Sequence, residues 1–211
     1  IMTWASNTLK EFQSALASNN PTPGGGSAAG VALGQAAALS MMVANLTLGN
    51  ETYKNGWNIA ESVNKIATPL LEKGLSLAQS DSEAFDAVVE SFKLQKSTEE
   101  EKSIRRDAIR NSMLWAAKVP YETACHALEL LRLLPDLATY GNGNAVSDVG
   151  VAGLLASAAL KGAIFNIEIN LNSLPESYGQ DMRDHLPELS NDGKVHSRLC
   201  MEAVRSRLSN D

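Results

Sequence analysis

Two groups of residues in this sequence have types and spacings that chemistry uses. The first is Gly24-Gly25-Gly26-Ser27, set directly before an Ala-rich apolar run. A glycine loop that opens a helix leaves backbone N–H groups uncovered, and these bind carbonyl, carboxylate or phosphate oxygens. The Gly-Lys-Ser/Thr ending of a nucleotide P-loop is missing, and no strand precedes the loop as a dinucleotide fingerprint requires. A flexible loop or a tight helix crossing would explain the glycines equally well. The second group holds two acids, Asp81 and Asp148, and four amides, Asn142, Asn144, Asn166 and Asn170. Each aspartate stands where a helix can begin, so capping is its ordinary role. Buried, or close to an ion, either could serve as a general base or hold a cationic ligand. Asn166 and Asn170 are four apart and share a helix face, and buried amides need partners, either a ligand or a polar helix contact. His126, His185 and His196 have no Asp or Ser at a telling distance, and Cys125 and Cys200 have no metal-type spacing. No metal site is expected, and the two thiols fit a reduced compartment.

The elements that must position these groups are helices. Apolar residues make up 44% of the chain and aromatics only 5%, so the core material is mostly Ala and Leu, which favours helix over strand. A chain of 211 residues buries a sizeable core, and residues 1–211 are expected to form one domain. Net charge is -6 without a Lys/Arg cluster, which argues against nucleic-acid binding. Phe12 to Asn50 carries no charge and is long enough to cross a membrane. Its prolines, glycines, Gln35, Ser40, Asn45 and Thr47 make it weakly apolar, so it reads as a helix buried in protein. Residues 1–20 lack a basic-then-apolar layout, so a cytoplasmic protein without a membrane span is expected.

A first helix is expected from Ser6 to Ser18, capped by Ser6 and buried along Leu9, Phe12 and Leu16. A second runs from Ser27 to Gly49. Gly26, Gly30, Gly34 and Ala38 recur every four residues on one of its faces, which asks for a close partner, a neighbouring helix or a second subunit. Pro69 marks an irregularity in a third helix, and Asp81 opens or continues helix to Leu94. Thr98 before Glu99-Glu100-Glu101 is a helix start with acids at the positive dipole end. Pro120 kinks that helix or begins another. Ser147 or Asp148 caps the next, and a last helix covers Val195 to Leu208. Residues 165–171 alternate as a strand would, but helix is favoured because no breaker separates them from the Ala-rich run and a lone strand has no sheet to join.

Pro21-Thr22-Pro23-Gly24-Gly25-Gly26-Ser27, followed by the helix ending Met42-Val43-Ala44-Asn45-Leu46-Thr47-Leu48-Gly49, resembles the formimidoyltetrahydrofolate cyclodeaminase / methenyltetrahydrofolate cyclohydrolase family. Asp81-Ser82-Glu83-Ala84-Phe85, Val119-Pro120, Gly141-Asn142-Gly143-Asn144 with Ser147-Asp148, and Gly162-Ala163 with Asn166 and Asn170 continue the resemblance in order, over roughly residues 5 to 175. It implies an all-α bundle of about six to seven helices, a homo-oligomer (dimer or tetramer) with the site near the subunit interface, and a folate substrate without further cofactor. The implied reaction is hydrolysis of 5,10-methenyltetrahydrofolate to 10-formyltetrahydrofolate. The alternatives are cyclodeamination of 5-formiminotetrahydrofolate with loss of ammonia, or a non-catalytic folate-binding module. A free-standing chain without a formiminotransferase domain favours the hydrolysis. Asp81 and Asp148 are then the candidate catalytic acids. Gly24, Gly25, Gly26, Ser27, Tyr53, Asn142, Asn144, Ser147, Asn166 and Asn170 are the candidate substrate contacts. The chain departs from the family after Leu48: Glu51 stands where a positive charge is common, and Tyr53 and Lys54 remain. If the missing lysines hold the glutamate tail, long polyglutamates should bind less well.

Overall fold

The computed structural model describes residues 3–210, with the side chain of residue 210 left aside; the ends of the 1–211 domain reading lie outside it. Six α-helices carry the described chain: α1 (Leu9–Leu16), α2 (Gly25–Thr47), α3 (Trp57–Lys93), α4 (Glu99–Tyr140), α5 (Val146–Asn172) and α6 (Gln180–Asn210). Three short 3-10 turns, Trp4–Ser6, Glu51–Gly56 and Gly143–Ala145, stand beside them, and there is no strand among the described residues. The all-α expectation holds, including at 164–171, which is continuous helix.

Helices α2, α3, α4 and α5 form a closed ring, each packed on the next, and α6 lies against α4 and α5. Leu130, Leu131, Leu134, Leu160 and Ile167 fill the centre, with alanines of all four helices between them. The glycine face of α2 has its partner inside the chain. A Cβ on Gly74 of α3 would come within 2.7 Å of the Gly30 carbonyl oxygen and 2.8 Å of the Gly34 nitrogen. Backbone rests on backbone there, so α2 and α3 cross with no room for a side chain. Ala38, which the spacing also assigned to that face, is exposed.

Several boundaries differ from expectation. Thr8, not Ser6, caps α1: its hydroxyl accepts from the Glu11 N–H at 3.2 Å, and Glu11 accepts from the Thr8 N–H at 2.7 Å. Ser6 is instead engaged with Thr3 in the 3-10 turn before α1, donating to the Thr3 carbonyl at 2.7 Å and accepting from its N–H at 3.2 Å. Of the expected apolar stripe only Phe12 is buried, against Trp4, while Leu9 and Leu16 face out. Thr98 and Glu101 form the same capping box at α4. Neither Asp81 nor Pro120 starts a helix. α3 runs through Pro69 and Asp81 for 37 residues, and α4 through Pro120 and Pro135 for 42. α6 begins earlier than expected, running through Pro187. Neither Ser147 nor Asp148 caps α5; both lie in its first turn, and Asn142 caps the 3-10 turn before it by accepting from the Asn144 N–H at 3.0 Å.

Two segments, Gly25–Thr47 and Gly143–Asn172, are long and apolar enough to cross a membrane, and about half of each is buried inside the protein. The charge-free stretch is therefore a core helix on one side only. Its outer side, with Met42 and Leu46, and the outer side of α5, with Val151, Leu154, Phe165 and Ile169, are exposed.

Candidate active site

The Gly-rich loop, Asp81, Asn166 and Asn170 meet in one cavity of about 390 Å3 at the N-terminal end of α2. Asp81 projects from the middle of α3 to the first turn of α2. The Ser27 hydroxyl donates to Asp81 Oδ2 at 2.9 Å, and its oxygen lies 3.0 Å from the Ser82 hydroxyl oxygen. Trp4 Nε1 donates to Ser82 Oγ at 2.9 Å. Ser27 has a single O–H, so giving it to the carboxylate makes Ser82 the donor to Ser27. A relay from Trp4 through two buried serines thus ends on one carboxylate and fixes its orientation. Ser27 is wholly buried, which corrects its expected role: it holds Asp81 from behind.

Glycine at 26 is a steric requirement of this arrangement. A Cβ there would lie 2.0 Å from Asp81 Oδ1, whereas a Cβ on Gly25 would meet only Asn166 Nδ2, at 4.0 Å. The absent side chain lets the carboxylate settle onto the α2 N-terminus, where uncovered N–H groups and the helix dipole favour a negative charge. Burial acts the other way and prevails: it raises the Asp81 pKa above the ordinary carboxylate value, against the lowering effect of the bonds from Ser27. The result is a carboxylate fixed in place and more basic than one in water.

Asn166 and Asn170 line the opposite wall. Asn166 Nδ2 donates to the Gly162 carbonyl at 2.8 Å, and Asn170 Nδ2 to the Ala116 carbonyl of α4 at 2.9 Å. A carbonyl only accepts, so both amides are oriented, and each Oδ1 is left as an acceptor without a protein donor among the described residues. Phe85, Val88, Met113, Ala116 and Ile169 complete the wall as apolar surface. In the sequence these residues read as ordinary helix faces; only the junction of α2, α3, α4 and α5 turns them inward. The cavity offers backbone N–H groups, two oriented acceptors, an apolar wall and, among the described residues, a single charged side chain, Asp81.

The other expected site residues are elsewhere. Asn142 binds the C-terminal end of α2, its N–H donating to Thr47 Oγ1 at 3.0 Å and its Nδ2 to the Leu46 carbonyl at 3.1 Å. Asn144 and Ser147 are exposed beside it, and Tyr53 lies in the 3-10 turn after α2. At 1.5 Å per residue, Asp148 stands about 27 Å along α5 from Asn166. One protomer therefore does not bring Asp148 to Asp81. The sequence carries no sign of this separation, because α2 and α5 run antiparallel and each spans the whole ring.

Comparison with known proteins gives a consistent picture. Residues 8–187 match the family described as formiminotransferase-cyclodeaminase. The chain is similar to methenyltetrahydrofolate cyclohydrolase of Methylorubrum extorquens, 33% identical over 203 residues that cover 96% of this chain and 98% of that one. It is similar to formimidoyltransferase-cyclodeaminase of Gallus gallus, 30% identical over 94% of this chain but only 37% of the longer relative. Among solved structures, formiminotetrahydrofolate cyclodeaminase of Thermotoga maritima superposes with a TM-score of 0.79 at 29% identity, covering 98% of both chains.

Proposed function

Since the chain belongs to the formiminotransferase-cyclodeaminase family, we propose that it hydrolyses 5,10-methenyltetrahydrofolate to 10-formyltetrahydrofolate. The observation that carries this choice is the match to the Methylorubrum cyclohydrolase, which runs over 98% of that enzyme. The methenyl carbon is cationic between two nitrogens and needs no metal to be attacked. Asp81 is the base: it takes a proton from the attacking water and, while charged, balances the cation in a site with no other charged wall. The resulting tetrahedral carbon releases N5, which leaves as the amine, and one proton is lost overall. A raised pKa makes the Asp81 carboxylate a better acceptor. Gly24, Gly25 and Gly26 contact the ligand through backbone, and the free oxygens of Asn166 and Asn170 accept from the N–H groups of the pterin.

A specific observation favours a second reading. The Thermotoga structure that superposes on 98% of the chain is named a cyclodeaminase. In that reaction the same carbon loses ammonia, and a protonated Asp81 would donate to it. Purified protein mixed with 5,10-methenyltetrahydrofolate should speed the loss of its near-ultraviolet absorbance over a buffer blank. No acceleration, with ammonia released from 5-formiminotetrahydrofolate, would move the assignment to cyclodeaminase; turnover of neither would leave a binding module.

The working form in this reading is a homo-oligomer in the cytoplasm, built from one domain over 1–211. The exposed Val151, Leu154, Phe165 and Ile169 share one face of α5 and are symmetric about Leu160. A two-fold axis at that point runs two α5 helices antiparallel and covers both apolar faces. It sets Asp148 of a second copy near Asn172, at the Asn170–Ser173 rim of the cavity. Tyr53, Asn142, Asn144 and Ser147 then serve the neighbouring copy's site. Cys125 and Cys200, both free thiols, fit a reducing compartment.

A further inference from the structure

We infer that Arg105 receives the glutamate carboxylates of the folate and sets the site's preference for them, an inference that rests on the folate reading above. Among the described residues Asp81 is the one charged side chain lining the cavity, so none of them there compensates the negative end of such a substrate. A desolvated carboxylate needs a cation or several donors.

The surface leaving the cavity along α3 leads to one. Asp81, Phe85, Val88 and Phe92 fall at i, i+4, i+7 and i+11, on one face of α3. Phe85 and Phe92 are 42% and 48% exposed, which makes an apolar track open to a ligand. At its end the Arg105 guanidinium carbon lies 5.5 Å from the Phe92 ring centroid, and Nη2 donates to the Phe92 carbonyl at 3.2 Å. From Asp81 to Phe92 the helix rises about 16 Å, a span suited to the aminobenzoyl-glutamate arm of a folate whose reacting carbon sits at Asp81.

Most cations near Arg105 are already paired; Lys96, exposed in the loop after α3, is not, but among the described residues only Arg105 is stacked on Phe92. Lys93 and Lys102 are held by Glu90 and Glu99 at 2.6 Å and 2.7 Å, and Arg106 and Arg110 lie 4.0 Å from Asp107. No ion pair among the described residues includes Arg105, and its Nε is buried without a hydrogen-bond partner. Its ordinary role, holding a terminal carbonyl of α3, uses one of five N–H groups. With Nε buried, the remaining N–H groups of Nη1 and Nη2 are left for a carboxylate, at a stacked position where lysine would not substitute.

The test is direct titration of the purified protein with 5-formyltetrahydrofolate and with 5-formyltetrahydropteroate, which lacks the glutamate. Wild type should bind the first more tightly. Arg105→Gln should weaken the first by about tenfold or more, the scale of one charge-assisted bond, and leave the second unchanged. Arg105→Lys should keep only part of the difference. A purely structural role would shift both ligands alike. An equal loss for both, no loss, a wild type that binds the two equally or not at all, or a selective loss appearing in Lys54→Gln instead would overturn the inference. Turnover is not the readout, so a protein that binds with this ratio yet converts neither substrate would reject the enzymatic reading and keep Arg105's role.

Discussion

Gly26→Ala is a one-methyl probe of how Asp81 is held. The added Cβ would lie 2.0 Å from Oδ1, 2.5 Å from Cγ and 2.7 Å from Oδ2 of Asp81. Real Cβ contacts do not close below 3.0 Å, so the carboxylate must retreat by roughly 1 Å, the scale of misplacement that costs on the order of 100-fold in rate. The obstacle is the far end of a side chain, which can swing toward the cavity, so the fold itself should survive. Losing the Ser27 bond costs about 1.5–3 kcal/mol, while relief of carboxylate burial and the helix propensity of Ala, about 1 kcal/mol better than Gly, offset part of it. The expected result is a turnover of methenyltetrahydrofolate roughly 100-fold down, with a melting temperature within a few degrees of wild type. Gly25→Ala, whose Cβ meets nothing closer than 4.0 Å, should keep most activity and is the matched control. If Asp81 is the group through which Gly26→Ala acts, adding it to Asp81→Asn should cost little more. A Gly26→Ala protein as active as wild type, or one that only unfolds, would refute the reasoning.

Asp81→Asn should lower turnover by roughly 100- to 10,000-fold while retaining helical circular dichroism. Its effect on stability should depend on pH: a carboxyl with a raised folded pKa contributes stability below its unfolded value and loses it as pH rises through the folded one. The variant's melting temperature should therefore rise relative to wild type from pH 4 to pH 8, and a constant difference in thermal scans would contradict the burial argument. Gly74→Ala has no such escape, because its Cβ would meet backbone of α2 at 2.7–3.0 Å; it should destabilise by about 1–3 kcal/mol or more in denaturant unfolding, with wild-type stability as the refuting result. Phe165→Glu, at a side chain 69% exposed in the protomer, should convert an oligomer to monomers in sedimentation and reduce turnover with it; a wild type that sediments as a monomer would remove the second copy from the site.

What the sequence determined by itself is what depends on local physics. Ala and Leu abundance set the helical class, Thr98 with its acids marked the start of α4, and the ordered motifs from Pro21 to Asn170 identified the family. The glycines at 26, 30 and 34 announced a close contact without naming its partner, because spacing along one helix says nothing about which backbone approaches it; α3 supplies that at Gly74. Asp81 could be singled out, yet its neighbours Asp81-Ser82-Glu83 look the same at a helix start as on the polar face of a continuous helix. Only packing of α3 against α2 and α4 decides that the helix runs on, and that places the carboxylate over Gly26 and raises its pKa. Asp148 shows the converse limit. Its motif is as legible as that of Asp81, but two long antiparallel helices carry the pair to opposite ends of the ring. Distance in space is set by the sum of all the helix lengths and crossings, a quantity that no window of sequence contains.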